Sequence, residues 1–238
     1  MAKIIFIIRS KRILLGTLVL LFVLTLGALI FSMETKTSTV IAEPIYHGNE
    51  NFKSIALTCN VFWGEEYIGR MLEILEEKDV KATFYIGGTW AEKFPDLVKK
   101  INEKGHEIGS HGYSHPHPDQ LSVDGNKKDI SRAEEIIREL TGERPKLYAP
   151  PYGERGPALL QAAGELGYQT VLWSIDTIDW QLPDPGVIKE RVISKAHNGG
   201  IVLMHPTAPT VKALPEIIDT LRERGYQIVT VGEMLKTP

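Results

Sequence analysis

The stretch SIALTCNVFWGEEYIGRMLEILEEKDVKATFYIG, residues 54–87, decides the fold. It opens on an apolar, β-branched run, SIALTC (54–59), and closes on another, KATFYIG (81–87). Between them EEYIGRMLEILEEKD (65–79) sets Ile68, Met71, Leu72 and Leu75 at the spacing of one helix face. Strand, helix and strand in this order make a βαβ unit, because parallel neighbours need a long crossover.

The alternation continues to the C-terminus. HEIGS (106–110), KLYAP (146–150), QTVLWS (169–174), GIVLMH (200–205) and YQIVTV (226–231) bring the strand candidates to seven. Helical patterns lie between them: AEKFPDLVKKINEKG, KKDISRAEEIIRELTG, GPALLQAAGELG, DPGVIKERVISKAHNG and VKALPEIIDTLRERG. Several end in glycine (Gly105, Gly142, Gly167, Gly199, Gly225), the residue that closes a helix in a left-handed turn. Short strands of this kind must be covered by helices, which suits a barrel or a doubly wound parallel sheet in an α/β fold.

The first fifty residues read differently. Residues 1–12 carry Lys3, Arg9, Lys11 and Arg12 and no acid, and Ile13 to Phe31 holds no charge at all. That run spans about 28 Å as a helix, enough to cross a bilayer. The expected organisation is a basic cytoplasmic segment (1–12), a single-pass transmembrane anchor (13–31), a linker (32–52) and an extracellular domain (53–238) at the cell membrane. A cleaved signal peptide is the competing reading, but the run is longer than a usual apolar core and no Ala-x-Ala follows it. Composition is that of a globular protein: 43% hydrophobic, 24% charged, with 27 Lys and Arg against 30 Asp and Glu. The near-neutral balance gives no basic face for nucleic acid, and the single cysteine, Cys59, excludes a disulfide framework or a multi-thiolate zinc site. No phosphate-binding glycine motif is present.

Residues with chemistry fall just after the strands, where parallel α/β folds collect their functional groups. His111 and His115 follow HEIGS in SHGYSHPHPD, at a spacing open to metal ligation. Pro151 and Tyr152 stand in APPYGE, a rigid turn able to aim a main-chain N–H at an oxyanion. Asp176, Asp179 and Trp180 follow TVLWS, and His205 ends GIVLMH, where Asp179 is able to hold its ring as a general acid. His106 reads as a packed strand residue, His117 as exposed, and His47 and His197 as linker and loop residues.

These segments, in this order over about residues 53–235, resemble the polysaccharide deacetylase family with the NodB homology domain, carbohydrate esterase family 4. The resemblance implies a distorted, incomplete (β/α) barrel. It also implies His111 and His115 as ligands of a divalent metal such as zinc or cobalt, and Tyr152 N–H in the oxyanion hole. Asp179 would tune His205 as the catalytic acid, with Trp180, Leu203 and Pro151 around the acetyl pocket. The substrate would be an N-acetylated polysaccharide: peptidoglycan, a chitin-like polymer or an exopolysaccharide.

The first motif departs from the family's Thr-Phe-Asp-Asp-Gly or Asp-x-Asp pattern. Asn60 stands at the base, an amide that accepts no proton at neutral pH, and Val61 or Phe62 stands at the metal aspartate. Ala149 replaces the arginine that pairs with the base. Two histidines without a carboxylate hold a divalent ion more weakly. Glu65 or Glu66 could supply a base, as could water on a bound metal. Two functions therefore remain: metal-assisted removal of N-acetyl groups, or a degenerate domain that binds or scaffolds carbohydrate.

Overall fold

The computed structural model describes residues 43–236 together with Phe22, Val23 and Thr25, the last three helical. The anchor expected at 13–31 falls, apart from these three, outside the described residues. Among the described residues no helix is long and apolar enough to cross a membrane.

The chain from Ser54 runs β1 (Ser54–Val61), α1 (Glu65–Glu77), β2 (Thr83–Ile86), α2 (Gly88–Lys93), α3 (Pro95–Glu103) and β3 (Glu107–Ser110). It continues with α4 (Val123–Thr141), β4 (Leu147–Tyr148), α5 (Pro157–Glu165), β5 (Gln169–Thr170) and β6 (Ile175–Asp176). The last elements are α6 (Pro185–Lys195), β7 (Gly200–Met204), α7 (Ala208–Glu223), β8 (Gln227–Val229) and α8 (Val231–Lys236). All strand pairs are parallel, in the order β5-β4-β3-β2-β1-β7-β6. β8 pairs with Ser54 to Ala56 of β1, while β2 pairs with Thr58 to Val61, so two strands share one edge of β1. The sheet curls into an open half-barrel, with β5 and β6 as its ends.

The expected seven strands are eight. QTVLWS divides because Val171 pairs with Ile45, Ser174 N–H turns to Ile201 O, and a two-residue strand restarts at Ile175. The helical stretch from Ala91 breaks at Phe94, since Pro95 has no N–H to continue the ladder and instead starts α3. Residues 44–48, assigned by sequence to the linker, are hydrogen-bonded into the sheet. Ile45 N–H donates to Thr170 O at 2.9 Å, Leu172 N–H to Ile45 O at 2.7 Å and Gly48 N–H to Gly199 O at 2.7 Å.

β1 sets two environments by its period of two. Ile55, Leu57, Cys59 and Val61 face the helices and pack with Met71, Leu72, Ile217 and Ile218 in the main core. Ala56 faces the barrel interior, where Tyr85, Leu147, Ala149, Val171 and Ile201 surround it. Thr58 and Asn60 share that inward parity, and Asn60 reaches the upper rim. The lone cysteine is thus a core residue, and burial pushes its thiol well up, with the Asp179 charge adding to the effect.

His106 packs as the sequence suggests. It is 5% exposed, its ring meets Phe84 edge-on, and its Nδ1 accepts Ala82 N–H at 3.2 Å. Burial first, then the Lys81 and Lys104 charges, lower its pKa from 6.5 to about 4. The unfolded chain takes up this proton before the folded one, so the contribution is complete above about pH 6.5 and lost as pH falls toward about 4. Denaturant melts between pH 7.5 and 4.5 are expected to show falling stability, by at most about 1.4 kcal/mol per pH unit from this group. His106→Asn, whose amide oxygen can take the Ala82 bond, should flatten that slope; an unchanged slope would remove His106 as its source.

Candidate functional site

The carboxyl ends of β1, β3, β4, β6 and β7 converge on a cavity of about 460 Å³. Of the residues singled out in the sequence, Asn60, Phe62, His111, His115, Tyr152, Trp180, Leu203 and His205 line it. Asp176, named with them after TVLWS, lines it too, as do Trp63, Gly153 and Trp173. Pro151 is buried beside Tyr152 without lining the cavity, and Val61 points into the opposite core, fully buried. Of the two positions considered for the metal aspartate, Phe62 lines the cleft and Val61 does not, because strand alternation returns Asn60 and then Phe62 to it. Glu65 and Glu66 lie in the first turn of α1, outside the lining.

The acid side is fully built. Asp179 is completely buried, and its carboxylate takes three hydrogen bonds. Oδ1 pairs with His205 Nδ1 at 2.7 Å, while Oδ2 accepts His205 N–H and the Thr210 hydroxyl, each at 2.6 Å. The turn carrying Asp179 and Trp180 is strained: Ile178 and Leu182 on either side hold φ of 51° and 53°. Left-handed backbone at such residues costs about 1–3 kcal/mol each and persists only where neighbours enforce it. Arg191 does so by donating to Thr177 O at 2.7 Å, and the Thr177 hydroxyl donates to Leu203 O at 2.7 Å. Trp63 lies flat over His205, ring centroids 5.7 Å apart at 7°.

The histidine loop is held from below by α4. Asp129 accepts Tyr113 N–H at 2.8 Å, Ser114 N–H at 3.1 Å and the Ser114 hydroxyl at 3.0 Å, and His115 sits at φ 55°. His111 Nδ1 donates to Ala149 O at 2.6 Å; a carbonyl only accepts, so Nε2 is left as the bare nitrogen. Burial, and then the neighbouring His115, lower the His111 pKa to about 3, against the upward pull of the Ala149 bond. The two rings stand 5.0 Å apart at 70°. Burial also lowers the His115 pKa. Tyr152 bears on His115 edge-on, takes His117 flat on its face at 4.0 Å, and is itself left-handed at φ 60°. His117 is anchored by Glu154 at 2.7 Å, so this exposed histidine belongs to the rim.

Phe62 changes the metal side. Its ring lies 4.7 Å from the His115 ring at 35°, an apolar wall beside the histidine pair. Gly87 makes this possible, since a Cβ there would come within 2.4 Å of the Phe62 ring. On the other wall Gly153, at φ 67°, lets Trp173 close to 2.6 Å of where its Cβ would stand. Beside Phe62 the donors are the His111 and His115 imidazoles and the Asn60 amide, while Asp176 and His205, which also line the cavity, are engaged with Ile178 N–H and Asp179. Among the described residues no group of three His, Cys, Asp or Glu side chains is placed to hold a metal ion. This donor set does not fit a resident metal.

Residues 47–171 match the family model for polysaccharide deacetylase. A peptidoglycan-N-acetylglucosamine deacetylase of Bacillus cereus is 36% identical over 197 residues, covering 81% of this chain and 72% of that one. The chain belongs to the polysaccharide deacetylase family. Another relative of this family member, the uncharacterized protein YlxY of Bacillus subtilis, is 43% identical over 193 residues, 81% of this chain but 60% of its own length. Among solved structures, a carbohydrate esterase family 4 pseudoenzyme of Bacillus anthracis superposes with a TM-score of 0.80 at 40% identity, covering 82% of this chain and 69% of that one. A mutant of that pseudoenzyme with restored enzymatic activity matches at TM-score 0.80 and 38% identity, over 82% and 71%.

Trp63 and Trp173 escaped the motif reading, although both stand near strand ends, one before Gly64 and the other next to last in QTVLWS. The Phe62 assignment predicts a measurable coupling. Gly87→Ala should destabilise this family member by about 1–3 kcal/mol through collision with the ring. Combining it with Phe62→Ala should recover most of that loss in a double-mutant cycle. Additive losses would place Phe62 away from Gly87.

Proposed function

We propose that this chain is a cell-wall glycan-binding member of the polysaccharide deacetylase family whose cleft holds an N-acetylated amino-sugar polymer without cutting it. The observation that carries this reading is the Phe62 ring packed against His115, with Asn60 as the one polar side chain that β1 offers the cleft. A carboxylate is the least dispensable part of such a site, and neither position supplies one. The exposed rings of Trp63, Tyr152 and Trp180 around the mouth suit the flat apolar faces of a sugar chain. Peptidoglycan is the favoured polymer, because named relatives act on it. The basic segment and apolar run before residue 32 support a membrane anchor with the domain outside the cell, where that polymer lies.

A second reading, metal-assisted deacetylation, draws on the complete His205–Asp179–Thr210 arrangement. In that case His205 would protonate the leaving amine and Tyr152 N–H would hold the oxyanion, with the metal supplying the activated water.

Acetate release from N-acetylglucosamine oligomers and peptidoglycan, with zinc or cobalt supplied, separates the two. The natural chain is expected to release none. Asn60→Asp with Phe62→Asp and Ala149→Arg should gain metal-dependent release by at least about 10²-fold over background. Release by the natural chain that His111→Ala abolishes would restore the hydrolytic reading.

A further inference from the structure

The segment at 44–48 is a strap across the sheet, and it reaches the cleft wall by two routes. Its main chain takes the first. Thr170 ends β5, Ile175 starts β6, and the link between them carries Trp173, which lines the cleft. Leu172 N–H, just before Trp173, donates to Ile45 O at 2.7 Å, and Ser174 N–H, just after it, donates to Ile201 O at 3.1 Å. One of the two bonds flanking Trp173 is thus made by the strap. Ile45 and Trp173 also pack against the same interior cluster. The second route runs through side chains. The Arg155 guanidinium lies 6.0 Å over the Tyr46 ring and donates to Gly153 O at 3.4 Å. Gly153 is the residue against which the Trp173 ring closes, and both line the cleft, whereas Tyr46 and Arg155 do not.

We infer that the strap is a positioning element of the cleft: its docking holds the Trp173–Gly153 wall, and a glycan on that wall holds the strap. This rests on the glycan-binding function proposed above. The strap is tied by the Ile45, Leu172 and Gly48 main-chain bonds and a bridge from His47 to Gly200. So short a seam opens more readily than β1, which is paired with three strands. When the strap leaves, Leu172 N–H loses its acceptor and Tyr46 leaves Arg155, so both sides of the wall loosen together. A ligand that binds only the ordered wall favours the docked strap, and linkage makes the effect equal in both directions. The far end of the seam closes backbone to backbone, since a Cβ on Gly199 would stand 2.7 Å from Gly48 O. Every residue before Glu43 joins the domain through this strap, so a pull on that part of the chain is borne by the bonds that hold the wall.

The test is amide hydrogen exchange on the full chain, with and without saturating N-acetylglucosamine tetramer, whose binding is followed in parallel by calorimetric titration. The tetramer is expected to slow exchange at Ile45, Gly48 and Leu172 at least about fivefold and to leave Ile55 and Leu57 of β1 unchanged. Ile45→Asp with Tyr46→Ala puts a charge in the packed place and removes the ring, and should weaken the tetramer at least about fivefold. Tyr46→Phe keeps the ring under Arg155 and should bind as the natural chain does. A strap with a structural task alone would lower the melting temperature of the double variant without moving its affinity, and that result would overturn the coupling. Binding by the natural chain with exchange at the three amides unchanged would also overturn it; this outcome leaves glycan binding intact and requires no variant to fold. Absence of binding would overturn both the coupling and the function on which it rests.

Discussion

The central strand β1 governs this molecule through its period of two. Its odd positions from Ile55 to Val61 are sealed against the helices, and its even positions face the barrel. Because β1 bonds to β2, β7 and β8, that alternation is locked in register by three neighbours. Everything at the rim follows: Asn60 is fixed in the cleft, Val61 is fixed out of it, and the next inward place falls to Phe62. A single-residue slip would carry Cys59 and Val61 inward and empty the core of their side chains.

The halves of the site differ in what else they do for the fold. Asp179 ties the exit of β7 to the start of α7 through His205 N–H and Thr210, and it is wholly buried. His111 joins the end of β3 to the end of β4 by its bond to Ala149 O. These residues keep a structural task whether or not a bond is hydrolysed, since stripping their partners would strand buried polar groups. A carboxylate at Asn60 or at Phe62 has no such second task. Persistence of the acid and histidine residues is therefore weak testimony for turnover, and loss of the other side is where a released domain would first change.

Much of this architecture was legible in the chain, and the reasons are local. Alternating apolar runs and amphipathic helices gave the parallel α/β order, and glycines marked helix ends. The five rim segments were recognisable because each directly follows a strand. What escaped has physical causes too. A two-residue strand such as Ile175–Asp176 has too few residues to show a period, and its existence depends on Val202 and Leu203 alongside. Phe94 continues the helical pattern, so the break at Pro95 had to be read from one missing N–H. Which of Val61 and Phe62 faces the cleft is legible by counting the alternation forward from Leu57, since 57, 59 and 61 share one side. Trp63 and Trp173 are indistinguishable from core aromatics until the curl of the sheet brings them to the cleft.

The segment at 44–48 also bears on how the molecule meets its own copies. A half-barrel has two open ends, and an unpaired strand edge is a template for another chain. At the β5 end Ile45 takes the bonds that a foreign strand would use, donating to Thr170 O and accepting from Leu172 N–H. At the other end β6 is two residues long and gives an intruder little to hold. An open barrel is in this way kept from edge-to-edge aggregation.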